Sequence, residues 1–203
     1  MHFPQDHRPH TKTEIEWWYA WAKLGDIWIH WALFKKGRKL VLHGSVRRKG
    51  RVKFFERRIK KLSDVINISG NRIKIKSPKF SIECIMRDDP IENEGYGRKY
   101  YSMTHLIIRG KLRRWLRTVR VNGSGWFDHA WGPMPKKNWE WIAINFYDGT
   151  AQMTSKEYDG AGPDKEKIFK PKHGWPYSEQ PLLIEKDNRL IGIGMRERTY
   201  RRF

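Results

Sequence analysis

The chain holds a single cysteine, Cys84, among 203 residues, so neither an internal disulfide framework nor a multi-cysteine zinc site can form. No apolar run reaches the ~18 residues that a transmembrane helix needs. The start, Met-His-Phe-Pro-Gln-Asp-His, lacks the apolar core of a secretory signal, and the Asn-x-Ser matches at Asn67 and Asn122 therefore mean little. Neither common nucleotide-binding glycine loop is present, nor a Gly-x-Ser-x-Gly elbow, which removes most support for phosphotransfer and serine hydrolysis. His2, Asp6, His7 and His10 lie close together, but Pro4 and Pro9 keep that segment from being helical, and no His-Glu-x-x-His spacing occurs. Neither a metal nor another cofactor is expected. Acidic residues are scarce, 22 against 42 Lys and Arg, for a net charge of +20. Together these absences lead us to expect a cytoplasmic chain in one domain, 1–203, at most peripheral to a membrane.

Aromatic residues are abundant: eleven Trp, nine Phe and eight Tyr supply too much apolar surface for a disordered tail. Period-two alternation, broken by turn signals at short intervals, predicts antiparallel strands. They fall at 26–34, 39–47, 51–58, 65–69, 72–76, 80–86, 100–108, 118–121, 139–147 and 151–158, with a terminal hairpin of 182–186 and 190–195. Long helical periodicity is nearly absent. Such a meander suits an all-β barrel, which removes exposed edges and encloses a cavity. The Gly- and Pro-rich stretch 159–181 reads as a long loop or lid before the terminal hairpin.

Thirteen Lys and Arg against one acid, Glu56, lie between Lys35 and Lys61. Such a field attracts polyanions. Arg47, Arg48, Lys49 and Arg51, around a predicted strand turn, are the candidate contacts with an anionic membrane surface. Nucleic acid is a weaker alternative, because the aromatics alternate with acids and glycines rather than with Lys and Arg. A charged surface adapted to a hot habitat accounts for the same composition.

Five Trp lie within 17–31 and five within 115–141. In extended chain Trp17, Tyr19 and Trp21 share one face and Glu16 and Trp18 the other, while Trp139 and Trp141 share a face. Two such clusters suit the wall of a cavity for a large apolar ligand, although ordinary core packing uses the same residues. A carboxyl group among aromatics is desolvated, which raises its pKa and suits it to general acid catalysis. Asp128 and His129, within Gly-Ser-Gly-Trp-Phe-Asp-His-Ala-Trp-Gly-Pro, are the candidate catalytic residues. A structural pair that fixes a glycine-bounded turn is the competing reading.

The ordered motifs Phe-Pro-Gln-Asp-His-Arg-Pro-His, Glu16-Trp17-Trp18-Tyr19, Tyr100-Tyr101-Ser102, Gly125-Trp126-Phe127-Asp128-His129-Ala130-Trp131-Gly132 and Trp139-Glu140-Trp141 resemble the carotenoid 1,2-hydratase (hydroxyneurosporene synthase)/AttH family. The resemblance implies a lipocalin-like β-barrel that binds a polyene, isoprenoid or lipid. It also implies cofactor-free addition of water to a terminal C=C bond. On that reading Asp128 is the acid and His129 positions water or tunes Asp128. Trp18, Trp126 and Trp131 would stabilise a cation, Glu16 and Tyr101 would give polar support, and Trp17, Trp139 and Trp141 would complete the substrate wall. Typical members carry two lipocalin-like domains in a longer chain, so a homodimer is an expected way to complete a pocket here. A non-catalytic lipid carrier is the alternative.

Overall fold

The computed structural model describes residues 9–49, 51–87, 89–95, 97–114, 117–133, 138–146, 150–158, 177–179, 182–186 and 189–198. Apart from one 3-10 turn at Leu62–Asp64, the regular structure among them is strand, as the alternation predicts. No helix among the described residues is long and apolar enough to cross a membrane.

The chain, expected to form one domain, separates into two compact units, Met1–Met134 and Pro135–Phe203. Ten strands form one sheet in the first unit: β1 (Ile15–Leu24), β2 (Ile27–Lys36), β3 (Lys39–Arg48), β4 (Arg51–Ile59), β5 (Ile66–Ser69), β6 (Arg72–Lys76), β7 (Phe80–Ile85), β8 (Ile91–Gly95), β9 (Arg98–Arg114) and β10 (Arg117–Gly132). Their order is β4-β3-β2-β1-β10-β9-β7-β6-β5, with β8 on the first part of β9. The second unit holds β11 (Asn138–Phe146), β12 (Ala151–Tyr158), β13 (Tyr177–Glu179), β14 (Leu182–Lys186) and β15 (Arg189–Arg198), with order β12-β11-β15-β13 and β14 on β15. The predicted terminal hairpin is the β14–β15 pair. Residues 177–179, read as part of a loop, form β13 against β15. The rest of 159–181 lies outside the described residues.

Two-residue turns set the register of the first sheet. Gly25 and Gly37 adopt positive φ, 63° and 56°, at the β1–β2 and β2–β3 turns, where a Cβ would be strained. Phe55 on β4 meets Phe80 on β7 edge-on at 6.0 Å, although the two strands lie near opposite ends of the sheet order. The sheet of the first unit therefore curls on itself. Its apolar core gathers Trp18, Trp31, Leu33, Ile73, Ile82, Tyr101, Leu106 and Phe127, among others. Burying each large apolar side chain contributes about 1.5–3 kcal/mol. The other face of β1, β2 and β10 is buried as well: Trp17, Tyr19, Trp21, Phe34 and Trp126 are all sequestered from solvent. Cys84 lies in the core, where burial pushes its thiol up to about 12 and leaves it protonated.

A bulge adjusts the long β9–β10 pair. Gly125 faces Leu106 and Phe127 faces Met103, so β9 carries one extra residue beside Trp126, and His105 there has φ 48°. Beyond the bulge the pairing resumes with Asp128 opposite Ser102 and His129 opposite Tyr101. That register places the groups described next.

Candidate functional site

Directly opposed residues in antiparallel strands point to the same face, so three registers sort the polar side chains without ambiguity. One face carries the row Lys35, Glu16, Trp131 and, beside it, the row Leu33, Trp18, His129, Tyr101. The opposite face carries Phe34, Trp17, Ala130, Tyr100 and then Ala32, Tyr19, Asp128, Ser102.

Glu16 is the hub of the first face. Its side chain and that of His129 are both 0% exposed. His129 Nε2 lies 2.9 Å from Glu16 Oε1, and His10 Nδ1 reaches the same oxygen at 2.8 Å. The His10 backbone N–H donates to Glu16 Oε2 at 3.0 Å, and Lys35 Nζ donates to that oxygen at 3.0 Å. The segment before β1 is tied down by the same groups: Lys35 Nζ and Thr13 Oγ1 both donate to the His10 carbonyl. Burial alone would push the Glu16 carboxyl group up. Its hydrogen bonds with His129, His10 and Lys35, and the nearby positive charge, outweigh burial and hold it below the usual carboxylate range.

His129 extends the network. Its Nδ1 lies 3.2 Å from the Tyr101 hydroxyl, giving a continuous chain of carboxylate, imidazole and phenol. Aromatic faces enclose it. Trp18 stacks on the His129 ring at 4.9 Å, Trp131 stacks on His10 at 4.1 Å, and Trp131 lies 4.8 Å from His129. The Trp18 indole N–H is buried with no hydrogen-bond partner among the described residues. An unmatched buried donor costs about 1–3 kcal/mol, so such a group is an open position for a ligand acceptor.

Asp128 belongs to the other face. Its Oδ1 accepts from the Trp126 indole N–H and from Ser102 Oγ at 2.7 Å, and Ser102 Oγ also lies 3.0 Å from the Tyr100 hydroxyl. The expected partnership in which His129 tunes Asp128 is thereby corrected: neighbours in an extended strand point to opposite sides. The substrate wall divides the same way. Glu16, Trp18, Tyr101 and Trp131 come together on the His129 face, whereas Trp17 and Trp126 lie on the Asp128 face. Trp139 and Trp141 sit on β11 in the second unit, and their side chains lie outside the described residues. Of the basic group, Arg47, Lys49 and Arg51 are exposed. Arg48 is partly buried, with its Nε donating to Asp26 at 2.8 Å.

Sequence reasoning gave no role to Lys35, which was hidden in a basic run, and it weighed His10 only as a metal ligand. The signal was available for Lys35, because a two-residue Gly25-Asp26 turn places residue 35 opposite residue 16. His10, Glu16 and His129 offer three ligand atoms within 4.8 Å of one another. That set has the donor types of a metal site. However, the Lys35 ammonium already supplies positive charge at the second carboxylate oxygen, so the network is satisfied by protons and lysine.

Residues 89–169 match the sequence model of the AttH-like family. The resemblance to AttH is thus shown. The matched span contains Tyr101, Asp128, His129 and Trp131, while His10, Glu16 and Lys35 lie before it. Among solved structures, one described as an AttH of Nitrosomonas europaea superposes with a TM-score of 0.70 at 14% identity, covering 99% of this chain and 97% of that one. Kievitone hydratase of Nectria haematococca superposes with a TM-score of 0.58 at 10% identity, covering 95% and 90%. At these identities the likeness establishes the AttH-like, lipocalin-type β fold. No curated protein matches the sequence.

Proposed function

We propose that this AttH-like protein is a hydratase that adds water across a C=C bond of an apolar polyene or isoprenoid, with the Glu16–His129–Tyr101 chain as its acid–base centre. The observation that carries the reading is a fully buried carboxylate joined through an imidazole to a phenol inside an aromatic enclosure. Protonated His129 donates from Nδ1 to the Tyr101 oxygen, which leaves the Tyr101 O–H to protonate one alkene carbon. Ionised Glu16 stabilises the imidazolium. The neighbouring carbon becomes cationic and faces the π-systems of Trp18 and Trp131. Water adds there through oxygen and returns one proton to the chain, restoring its starting state. The hydratase fold neighbour supports this reaction class, and the motif resemblance to the carotenoid 1,2-hydratase/AttH family supports the substrate class.

The test is incubation of the purified protein with acyclic polyenes in isotopically labelled water, followed by mass spectrometry. Incorporation of one labelled water that is lost in Tyr101→Phe supports the reading. Ligand retention with no incorporation in either protein leaves a non-catalytic carrier instead.

A second reading concerns location. On edge strand β4, Val52 and Phe54 are 43% and 56% exposed beside Arg47, Lys49 and Arg51. Apolar side chains ringed by cations are the composition of a surface that docks on anionic lipid. We propose that this edge brings the protein to the membrane in which an apolar substrate resides.

A further inference from the structure

The first unit contains a cavity of about 480 Å³, and none of its lining residues belongs to the Glu16–His129 cluster. One wall is apolar: Leu42, Val65 and Phe80 are buried members of the unit's core. The other is basic, with Arg57, Lys76, Lys111 and Arg113 all exposed at its margin.

Register explains how residues remote in sequence converge there. Arg57 on β4 lies directly opposite Leu42 on β3. Ser81 on β7 has Lys76 of β6 on one side and Lys111 of β9 on the other; the three share the exposed face opposite buried Phe80 and so border the opening of the cavity. The Arg113 backbone N–H donates to the Lys79 carbonyl at 2.8 Å, fixing the end of β9 against the turn that leads into β7.

Asp64 alone opposes the four cations in sign among the lining residues. Elsewhere on the unit, surface cations sit against carboxylates, as in Arg48–Asp26 and Arg72–Glu83. The four at the cavity have no ion pair among the described residues. Like charges gathered at one opening repel, and a bound anion relieves that repulsion. Guanidinium groups also match the planar or tetrahedral oxygens of carboxylate and phosphate. The apolar wall adds burial that a bare hydrated anion does not use. The size lies within the usual range of small-molecule sites, about 300–1,000 Å³.

We propose that this cavity binds an anionic amphiphile. Its carboxylate or phosphate-monoester end would sit among Arg57, Lys76, Lys111 and Arg113, and its apolar portion on Leu42, Val65 and Phe80. This second site shares no lining residue with the Glu16–His129 cluster.

Calorimetric titration of the full chain below the critical micelle concentration tests the proposal with dodecanoate, dodecyl phosphate, methyl dodecanoate and inorganic phosphate. Dodecanoate, dodecyl phosphate or both should bind, and the tighter of the two names the head group. The uncharged ester should bind about tenfold more weakly or worse, and raised salt should weaken the charged probes. Lys111→Gln/Arg113→Gln and Arg57→Gln should each cost about tenfold in affinity while melting temperature stays unchanged, because these side chains are exposed. Glu16→Gln, which disables the hydration centre, should leave binding of these probes intact. Four outcomes overturn the site: no binding of either charged amphiphile, an ester as tight as the acid, inorganic phosphate as tight as dodecyl phosphate, or basic-site variants that bind like the parent. Weakened binding in a folded Glu16→Gln protein would place the amphiphile at the other cluster and also overturn it.

Discussion

Strands β1 and β10 bury one carboxylate on each of their faces, and the two are treated differently. Glu16 meets groups that exchange protons or carry charge: two imidazoles and an ammonium. Asp128 accepts from an indole N–H and a serine hydroxyl, neither of which titrates near neutrality. Burial is common to both, so burial alone does not mark an acid–base centre. The capacity of the partners to take or give a proton does. Glu16 connects through the imidazole of His129 to the Tyr101 phenol, whereas Asp128 connects through the Ser102 hydroxyl to the Tyr100 phenol and also holds the Trp126 indole.

The largest effect should come from removing the hub. Glu16→Ala leaves His129 and Lys35 without their anion inside the protein, a change worth about 3–5 kcal/mol of stability. Asp128→Asn keeps an oxygen that accepts from Trp126 and Ser102 and should cost about 1 kcal/mol. Equal losses in denaturant titrations would erase the contrast between the faces. The pH dependence sharpens it. The folded Glu16 carboxyl group titrates below its ordinary 4.5, so its contribution is complete above that value and drains away as pH falls through the lower folded value. Glu16→Gln should therefore flatten the acid limb of the stability profile, and a parent-like limb in this variant would show that other groups govern it.

Chemistry is the next way to break the comparison. If the proton passes through Tyr101, Tyr101→Phe should lower turnover by about 10²–10⁴-fold while ligand affinity changes little. Asp128→Asn should stay within about tenfold of the parent, because its contacts are positional. The reverse pattern, with Asp128→Asn nearly inactive and Tyr101→Phe nearly normal, moves the acid to the opposite face and restores the assignment suggested by the adjacency of Asp128 and His129.

That adjacency shows where the sequence is legible and where it is not. Alternation along Glu16–Trp21 predicts which side chains share a face, and β1 obeys it. Turn chemistry likewise places most strand ends within a few residues, including the terminal hairpin. Pairing between distant strands is the missing information. Nothing local states that β1 lies against β10, 113 residues separating Glu16 from His129. Without that register, Asp128 and His129 read as partners because they are neighbours in the chain, whereas period two sends them apart. His10 escapes for another reason: it comes to Glu16 through backbone and side-chain bonds of an irregular segment, which carries no periodicity. The boundary at Met134 carries a short local signal, three Gly and Pro residues in Gly132-Pro133-Met134-Pro135, beside the longer stretch 159–181 with seven.

A smaller effect tests the close approach that holds the two faces in register. A Cβ on Gly125 would lie 2.2 Å from the Trp21 carbonyl oxygen and 2.6 Å from Ile108 Cδ1. Gly125→Ala should therefore push β10 from β1 and cost about 1–3 kcal/mol. Turnover should fall with it, because Glu16 and His129 stand on the two separated strands. A stable Gly125→Ala protein with full turnover would mean that the β1–β10 spacing is not what positions the centre.

The edge of the sheet offers the smallest effects and the sharpest contrast with its buried middle. Central strands hide their polar groups on both faces, while β4 leaves Phe54 exposed beside Arg47, Lys49 and Arg51. Each basic side chain near an anionic bilayer contributes about 1 kcal/mol, and physiological salt screens charge beyond about 8 Å. Cosedimentation with phosphatidylcholine vesicles, with and without phosphatidylserine, should thus show binding that needs the anionic lipid and weakens with salt. Reversing Arg47, Lys49 and Arg51 to Glu should remove most of it, and Phe54→Ser should remove less. Arg48→Gln should change it least, since that guanidinium is already paired with Asp26. None of these residues is a member of the Glu16–His129–Tyr101 chain, so turnover on a substrate supplied in detergent should stay at the parent level. Vesicle binding that survives the triple reversal would show that the basic edge does not contact lipid, and a parallel loss of turnover in detergent would show that edge and centre are coupled.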